Sequence, residues 1–351
     1  MGCTASVPNG CTASVPNGCT ASVPKGCTAS CLAKGCSHSK DTIAPIKKDM
    51  AILLVIFNPS MSKRIIMNYL YTVEQFYLQG LPTYTLELVY EGRKPELATN
   101  VPNVFHIKSK SYMFHKENMI RILEKRIPQK YNKLLFVDAD IVWKQPNWYS
   151  QISRTLDYYE VVQPFETGHW LDLTYKKKEI SRDTVLFMWK DKWDHTLHPG
   201  FAWAMNRDWY KANGFFDYAL SGSGDTLSTA HWLNKKFPKG FKSLPLALKS
   251  VYAEFCKKPR PQLGYCKGLE VFHLYHGGRA NRQYVDRHKI LDVEQDIMVL
   301  THINADGLIE WNDPNYWNPQ FLKYFISRDD DDLSETKPII NITFEKNKIR
   351  S

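Results

Sequence analysis

Two hydrophobic periods alternate along the first half of the chain after residue 49. Met50 to Phe57 is an uninterrupted apolar run, which predicts a strand buried on both faces, closed by Asn58-Pro59-Ser60. Ile66, Tyr69, Leu70, Val73, Phe76 and Tyr77 then recur at spacings of three and four, the stripe of an amphipathic helix that ends near Gly80. Thr83 to Tyr90 alternates and is rich in strand-forming residues, and Val104 to Ile107 predicts a short third strand. Lys116 to Ile127 returns to the helical period, with Met119, Ile122, Leu123 and Ile127 inward and Pro128 as the stop. Lys133 to Val137 is again a continuous apolar strand. Strands alternating with helices predict an α/β fold with a mostly parallel central sheet covered by helices.

Downstream the pattern weakens. Val161 to Phe165 reads as a strand, and residues 166–199 read as a loop-rich insertion that could serve as a lid. His198-Pro-Gly200-Phe-Ala-Trp203-Ala-Met205 reads as a strand edge with a tight turn. Asn206 to Asn213 is a short helix stopped by Gly214. Gly222-Ser-Gly224-Asp225-Thr226 opens another helix, to Phe237, and Leu269 to Tyr275 is a late strand. Beyond it the chain reads as polar, with an acidic run from Asp329 to Asp332. The expected organisation is a tail over 1–48, one catalytic domain over 49–325 and a polar, frayed tail over 326–351.

The first segment repeats Gly-Cys-Thr-Ala-Ser-Val-Pro-Asn from Gly2, Gly10 and Gly18, with a truncated copy at Gly26. So short and polar a period builds no core, and disorder is expected. Met-Gly-Cys-Thr-Ala-Ser matches a myristoylation pattern with Gly2 as acceptor and Cys3 as a neighbouring palmitoylation site. Five lysines against one aspartate up to Lys48 would add attraction to an anionic membrane. With such an anchor the expected location is the cytoplasm, at a membrane face.

Composition narrows the function. The chain has 351 residues, 43% of them hydrophobic, and a net charge of +10, which favours an anionic partner. There is no helix-turn-helix, zinc-finger or RNP pattern, so a nucleoside diphosphate is the expected anion and nucleic acid is not. No apolar run reaches eighteen residues, the length a membrane span needs. Six of the eight cysteines precede residue 37. Cys256 and Cys266 remain as a reduced pair or a disulfide, and no cysteine spacing resembles a zinc site.

The candidate chemistry begins at the end of the Lys133–Val137 strand. Asp138 and Asp140, two apart on extended chain, share a face beyond its carboxyl end, where ligands of open α/β sheets bind. A buried carboxylate pair needs a cation, and a hard divalent metal carrying phosphate oxygens fits. Asp140 is the expected metal ligand, with Asp138 meeting ribose or reaching the metal through water. His276, at the end of the late strand, is expected to complete the metal site. His273, facing the other way on a strand, is expected in the core. Asp225 is the expected base, and an N-cap is its structural alternative. Arg279 and Arg282 are placed to clamp phosphates, Trp203 to line the acceptor subsite, and Asn58, after the first strand, to meet base and ribose.

These blocks, in this order from about Met50 to about Trp311, resemble glycosyltransferases of the GT-A fold. Phe114-His-Lys116-Glu-Asn118 followed by Phe-Val-Asp138-Ala-Asp140 resembles the segment before the Asp-x-Asp of β-1,4-galactosyltransferases. Pro199-Gly200-Phe-Ala-Trp203 with Gly222-Ser-Gly-Asp225 is similar to their acceptor-side motif, although a second acidic residue after Asp225 is lacking. Glycosyltransferase-like proteins of large DNA viruses such as chloroviruses carry still more similar blocks. The resemblance implies Mn2+ or Mg2+ as cofactor, a nucleotide-diphosphate sugar as donor, Lys116 in the donor site, and a glycan, glycoprotein or glycolipid as acceptor, with inversion. A nucleotidyltransferase using the same cleft, or a catalytically dead binding protein at a membrane or in a virion, are the alternatives.

Overall fold

The computed structural model describes residues 47–332, apart from 100, 189–192, 195, 239–243 and 284–285. Gly2, Cys3 and the repeats lie outside the described residues.

The elements run β1 (Met50–Phe57), α1 (Lys63–Leu78), β2 (Thr83–Tyr90), β3 (Val104–Ser109), α2 (Lys116–Arg126), β4 (Lys133–Val137), β5 (Ile141–Trp143), α3 (Trp148–Thr155), β6 (Val161–Gln163), β7 (Thr167–Leu171), β8 (Lys178–Asp183) and α4 (Val185–Met188). They continue as β9 (Ala202–Asn206), α5 (Arg207–Asn213), α6 (Gly224–Trp232), α7 (Lys249–Phe255), β10 (Leu263–Tyr265), β11 (Glu270–His273), α8 (Ile297–Leu300), β12 (Thr301–Ile303), β13 (Ile309–Trp311) and α9 (Pro314–Ser327).

The main sheet has the order β10-β6-β9-β4-β1-β2-β3. Its β4, β1, β2 and β3 are mutually parallel, whereas β9 is antiparallel to both neighbours. The continuous apolar runs of β1 and β4 are explained by two-sided burial. Ala51, Leu53, Leu134 and Phe136 enter the core that holds Met119, Ile122 and Leu123 of α2. Met50, Ile52, Leu54, Leu135 and Val137 enter the opposite core with Tyr69, Val73 and Phe76 of α1. Each such fully buried side chain contributes roughly 1.5–3 kcal/mol.

A second sheet, β5-β11-β7-β8, lies past the end of β4. It corrects the expectation of a loop-rich insertion over 166–199, because β7 and β8 form an antiparallel pair there. The signal was hidden because β8 (Lys-Glu-Ile-Ser-Arg-Asp) is an edge strand with no buried residue and no apolar alternation.

The polar ending expected after Tyr275 is corrected too. Trp311, Trp317, Phe321, Tyr324 and Phe325 form a further core with Met113 and Leu220. Asp313 caps α9 by accepting from Tyr316 N at 3.2 Å, and Pro314 takes the first turn, where a missing N–H costs nothing. The domain therefore does not end at 325. Asp331, in the acidic run, accepts from Ser62 Oγ (2.7 Å), Lys63 N (3.1 Å) and Arg64 N (2.8 Å) and so caps α1 from outside. Cys256 and Cys266 are free thiols.

Candidate active site

The site forms where the two sheets meet. The chain leaves β4 at Val137 and enters β5 at Ile141, so Asp138 and Asp140 sit on the turn between sheets. Phe201 O accepts from Asp138 N at 2.9 Å, and Asp140 O accepts from Leu274 N at 2.8 Å. The antiparallel register pairs Ile141 with His273, which sets the end of β11 beside Asp140.

Asp140, His273 and His276 each offer a ligand atom, and these atoms all lie within 4.8 Å of one another. His276 Nε2 is 2.8 Å from Asp140 Oδ2, His273 Nε2 is 3.5 Å from it, and the two imidazole nitrogens are 3.2 Å apart. The expectation that His273 turns into the core is thus corrected. It assumed that the strand continues to Tyr275, but β11 stops at His273, and the following turn brings both rings to the same side. Burial holds the His273 imidazole down at about 3 against the pull of Asp140, leaving it neutral with a lone pair to offer. Asp140 is held well below the usual carboxylate range. Burial opposes this, and His273, His276 and Arg282 outweigh it. Asp140 Oδ1 is buried and has no hydrogen-bond partner among the described residues. Two imidazoles and a carboxylate with one orphaned oxygen, gathered within 4.8 Å, fit a divalent cation.

Behind His276 stands a residue that the sequence did not single out. Asp330, 4% exposed, lies with its Oδ1 3.0 Å from His276 Nδ1, and Arg328 bonds the same oxygen at 3.0 Å. A carboxylate behind a ligating histidine fixes its tautomer and ring orientation. A run of four aspartates carries no periodicity, so only the order of Arg328-Asp-Asp-Asp-Asp332 after an amphipathic helix could have hinted at it.

Asp138 is not in the metal-ligand cluster. Its Oδ1 is 2.5 Å from Lys116 Nζ at the start of α2. Burial pushes Asp138 up to about 6, Lys116 opposing and Asp140 adding to the rise. Lys116 is held above its ordinary value: burial opposes its charge, and Asp138, Asp225 and Glu117 outweigh that. Glu117, also missed, is pushed up to about 7 by burial, with Lys116 opposing and Asp225 adding. Its carboxylate fills the space that a Cβ on Gly224 would take.

Asp225 opens α6 and faces the same cavity. Its Oδ1 accepts from Thr226 N at 2.7 Å, so it makes a local turn contact as well as lining the site. The cavity is about 790 Å³ in volume, within the range of small-molecule and cofactor clefts. Its walls include Lys116, Arg182, Arg279, Arg282, Arg287 and Arg328 beside Asp138, Asp140 and Asp225. The Arg182 and Arg279 guanidinium groups both lie 5.4 Å from the Trp170 ring, as cations over its face. Arg282 Nη2 donates to His276 O at 2.9 Å, and the Tyr324 hydroxyl of α9 holds the same loop by donating to Arg282 O at 2.9 Å.

Two expected residues are placed elsewhere. Trp203 is 3% exposed in the core, its Nε1 donating to Pro199 O at 2.9 Å and its ring set edge-on against Trp232. A strand-borne Trp with even alternation points inward here because β9 is central, with β4 and β6 on its two sides. Asn58 does not line the large cavity. Its amide donates to Ser62 O (2.9 Å) and Glu96 (3.0 Å), and its carbonyl accepts from Ser62 N (2.9 Å), so it closes the turn after β1.

No protein-family model matches the chain, and no curated protein does. Solved structures similar to it include the catalytic domain of Drosophila β1,4-galactosyltransferase 7 in complex with xylobiose, at 10% identity over 78% of this chain and 98% of that one, TM-score 0.33. GalNAc-T7 with UDP, GalNAc and Mn2+ is similar at 11% identity over 69% of this chain and 48% of that one, TM-score 0.35. Glucosyl-3-phosphoglycerate synthase from Mycobacterium tuberculosis with Mn2+, UDP and phosphoglyceric acid is similar at 9% identity over 49% and 61%, TM-score 0.29.

Proposed function

We propose that the chain is a metal-dependent glycosyltransferase that moves a sugar from a nucleoside-diphosphate sugar to a hydroxyl of a glycan-type acceptor, with inversion. The observation that carries this reading is the convergence of Asp140, His273 and His276 at the wall of one cavity that also holds Asp225. A divalent ion held by the three ligands would neutralise the diphosphate as it leaves. The rest is assigned to the protein's own groups. Arg279 and Arg282 line the cavity near the ligand cluster and are assigned to phosphate oxygens. Lys116 holds Asp138 in place, and Asp138 is assigned to the ribose. Asp225 takes the proton from the acceptor hydroxyl as the new glycosidic bond forms, a role that contributes roughly a hundredfold to ten-thousandfold. The resemblance of the sequence blocks to GT-A enzymes supports the same assignment.

The test is a donor-hydrolysis and UDP-binding screen over nucleotide sugars with manganese. Wild-type protein is expected to bind UDP only with the metal and to hydrolyse at least one donor. Asp140→Ala is expected to lose the metal-dependent binding while remaining folded by circular dichroism. Equal binding of manganese and UDP by the variant would overturn the assignment.

A further inference from the structure

The turn His198-Pro199-Gly200-Phe201 is held more firmly than its sequence requires. Phe201 has φ +75°, a left-handed conformation that is strained for an aromatic residue and that gathers at functional sites. Its ring packs at a tilt of 49° against His198 with centroids 3.9 Å apart, and Trp170 stands edge-on to the same imidazole at 4.7 Å. Gln163 Nε2 fixes the His198 carbonyl at 2.8 Å. Between two aromatic rings and a bonded backbone, the His198 ring has little freedom to turn. Yet its Nε2 is buried and makes no hydrogen bond among the described residues. Leaving a buried polar atom unpaired forfeits its bond to water, and such atoms call for an explanation.

Gly200 supplies one. A Cβ there would overlap Asp225 Oδ2 and would lie 3.1 Å from His198 Nε2. The Asp225 carboxylate thus takes the space that a side chain on Gly200 would fill, with the His198 nitrogen beside the same point, and His198, Asp225 and Thr226 line the large cavity. Gly200 has no left-handed φ, so backbone conformation does not demand glycine at this position. Space does. Burial holds the His198 imidazole down at about 3 against the pull of Asp225, and a neutral imidazole nitrogen is a partner for a hydroxyl.

We infer that His198 is an acceptor-binding residue: its Nε2 bonds a hydroxyl adjacent to the one that Asp225 deprotonates, so the site selects a sugar with a vicinal diol. The inference rests on the glycosyltransferase reading and deepens it. In the reaction the attacking hydroxyl gives its proton to Asp225 and its electron pair to the anomeric carbon. The diphosphate leaves with the old bonding pair, and the hydroxyl on His198 keeps its proton throughout. His198 sets which hydroxyl attacks.

The experiment is a cycle between enzyme and substrate. Methyl glycosides of the common hexoses and pentoses are screened as acceptors with manganese and nucleotide sugars, and the best is compared with its singly deoxygenated forms. For wild type, removing the hydroxyl next to the glycosylated one is expected to lower kcat/KM about tenfold to a hundredfold. His198→Phe keeps a ring between Trp170 and Phe201 and is expected to lose a similar factor on the parent acceptor. It should show no further loss on the deoxy form, because the two deletions remove one contact. Gly200→Ala, whose Cβ displaces the Asp225 carboxylate, is expected to raise the acceptor KM or abolish transfer. Manganese and UDP binding by each variant, measured by calorimetry, separates a lost acceptor contact from a misfolded protein, and His198→Asn serves if the Phe variant fails to fold. Full additivity of the two losses would overturn the inference. So would donor hydrolysis without transfer to any glycoside, which leaves the transferase reading standing. Protein that neither binds UDP nor hydrolyses a donor would overturn that reading itself.

Discussion

Glu117 is 6% exposed, and its carboxylate sits where a side chain on Gly224 would otherwise be. Burial raises it to about 7, with Lys116 opposing and Asp225 adding. The ordinary value is 4.5, so between about pH 4.5 and 7 the folded protein keeps a proton that the unfolded chain has released. Stability contributed by that proton is full at low pH and is lost as pH rises through the folded value. Glu117→Gln removes the titration. It is therefore expected to be more stable than wild type at pH 8, by roughly 1–3 kcal/mol, with the difference shrinking toward pH 4.5. Urea melts of both proteins at pH 5 and pH 8 check this, and a constant difference at both pH values would refute it. At this scale the sequence pointed to Asp140, His276 and Asp225, which line one cavity, because each stands at the end of a readable element. It hid Glu117 and Asp330, which act through space. Glu117 lies on a helix whose apolar stripe drew the attention, and Asp330 lies in a charge run that ordinarily marks solvated chain.

Between elements, helix α1 is held at its first turn by a residue from the far end of the domain. Ser62 is its own N-cap, accepting from Ile65 N at 3.3 Å, and Asp331 accepts from Ser62 Oγ and from the N–H groups of Lys63 and Arg64. α1 has no acidic residue in its first turn, so Asp331 also supplies the negative charge that the helix dipole favours there. Asp331→Ala is expected to destabilise the domain by about 1–2 kcal/mol. It should also weaken manganese binding, since its neighbour Asp330 loses its anchor. Thermal melts and a manganese titration read the two effects, and an unchanged melting temperature would refute the cap. The periodic elements on the parallel side, β1, α1, β2, α2 and β4, were legible because each buries an apolar face or run in one of two cores. The β7–β8 pair was not, since an edge strand of Lys-Glu-Ile-Ser-Arg-Asp takes its conformation from the ladder to β7 and not from its own pattern.

Across the whole molecule, the site is closed by a segment that the sequence assigned to a frayed tail. After α9, the backbone of Arg328, Asp329 and Asp330 packs against Gly277, where an added Cβ would lie 2.6 Å from Asp329 O. Gly277 has φ +79°, so glycine is required there both for the turn after His276 and for this close approach. From that position Asp330 reaches His276, Arg328 braces Asp330, and Asp331 reaches α1. One short strap thus ties His276 of the candidate metal cluster to the first helix. A domain boundary at 325 cuts through this arrangement, whereas one after Asp332 preserves it. Protein truncated after Asp332 is therefore expected to keep the melting temperature and manganese affinity of the full chain. Protein truncated after Ser327 keeps α9 and its aromatic core, and so should fold, but it loses the carboxylate behind His276. Its manganese affinity is expected to fall about tenfold to a hundredfold, the usual cost of removing such a partner. Asp330→Asn in the full chain, which retains the shape and loses the charge, should reproduce part of the loss. Equal manganese affinity in both truncations would mean that His276 is oriented without the strap, and that Asp330 is a buried charge satisfied by Arg328 alone.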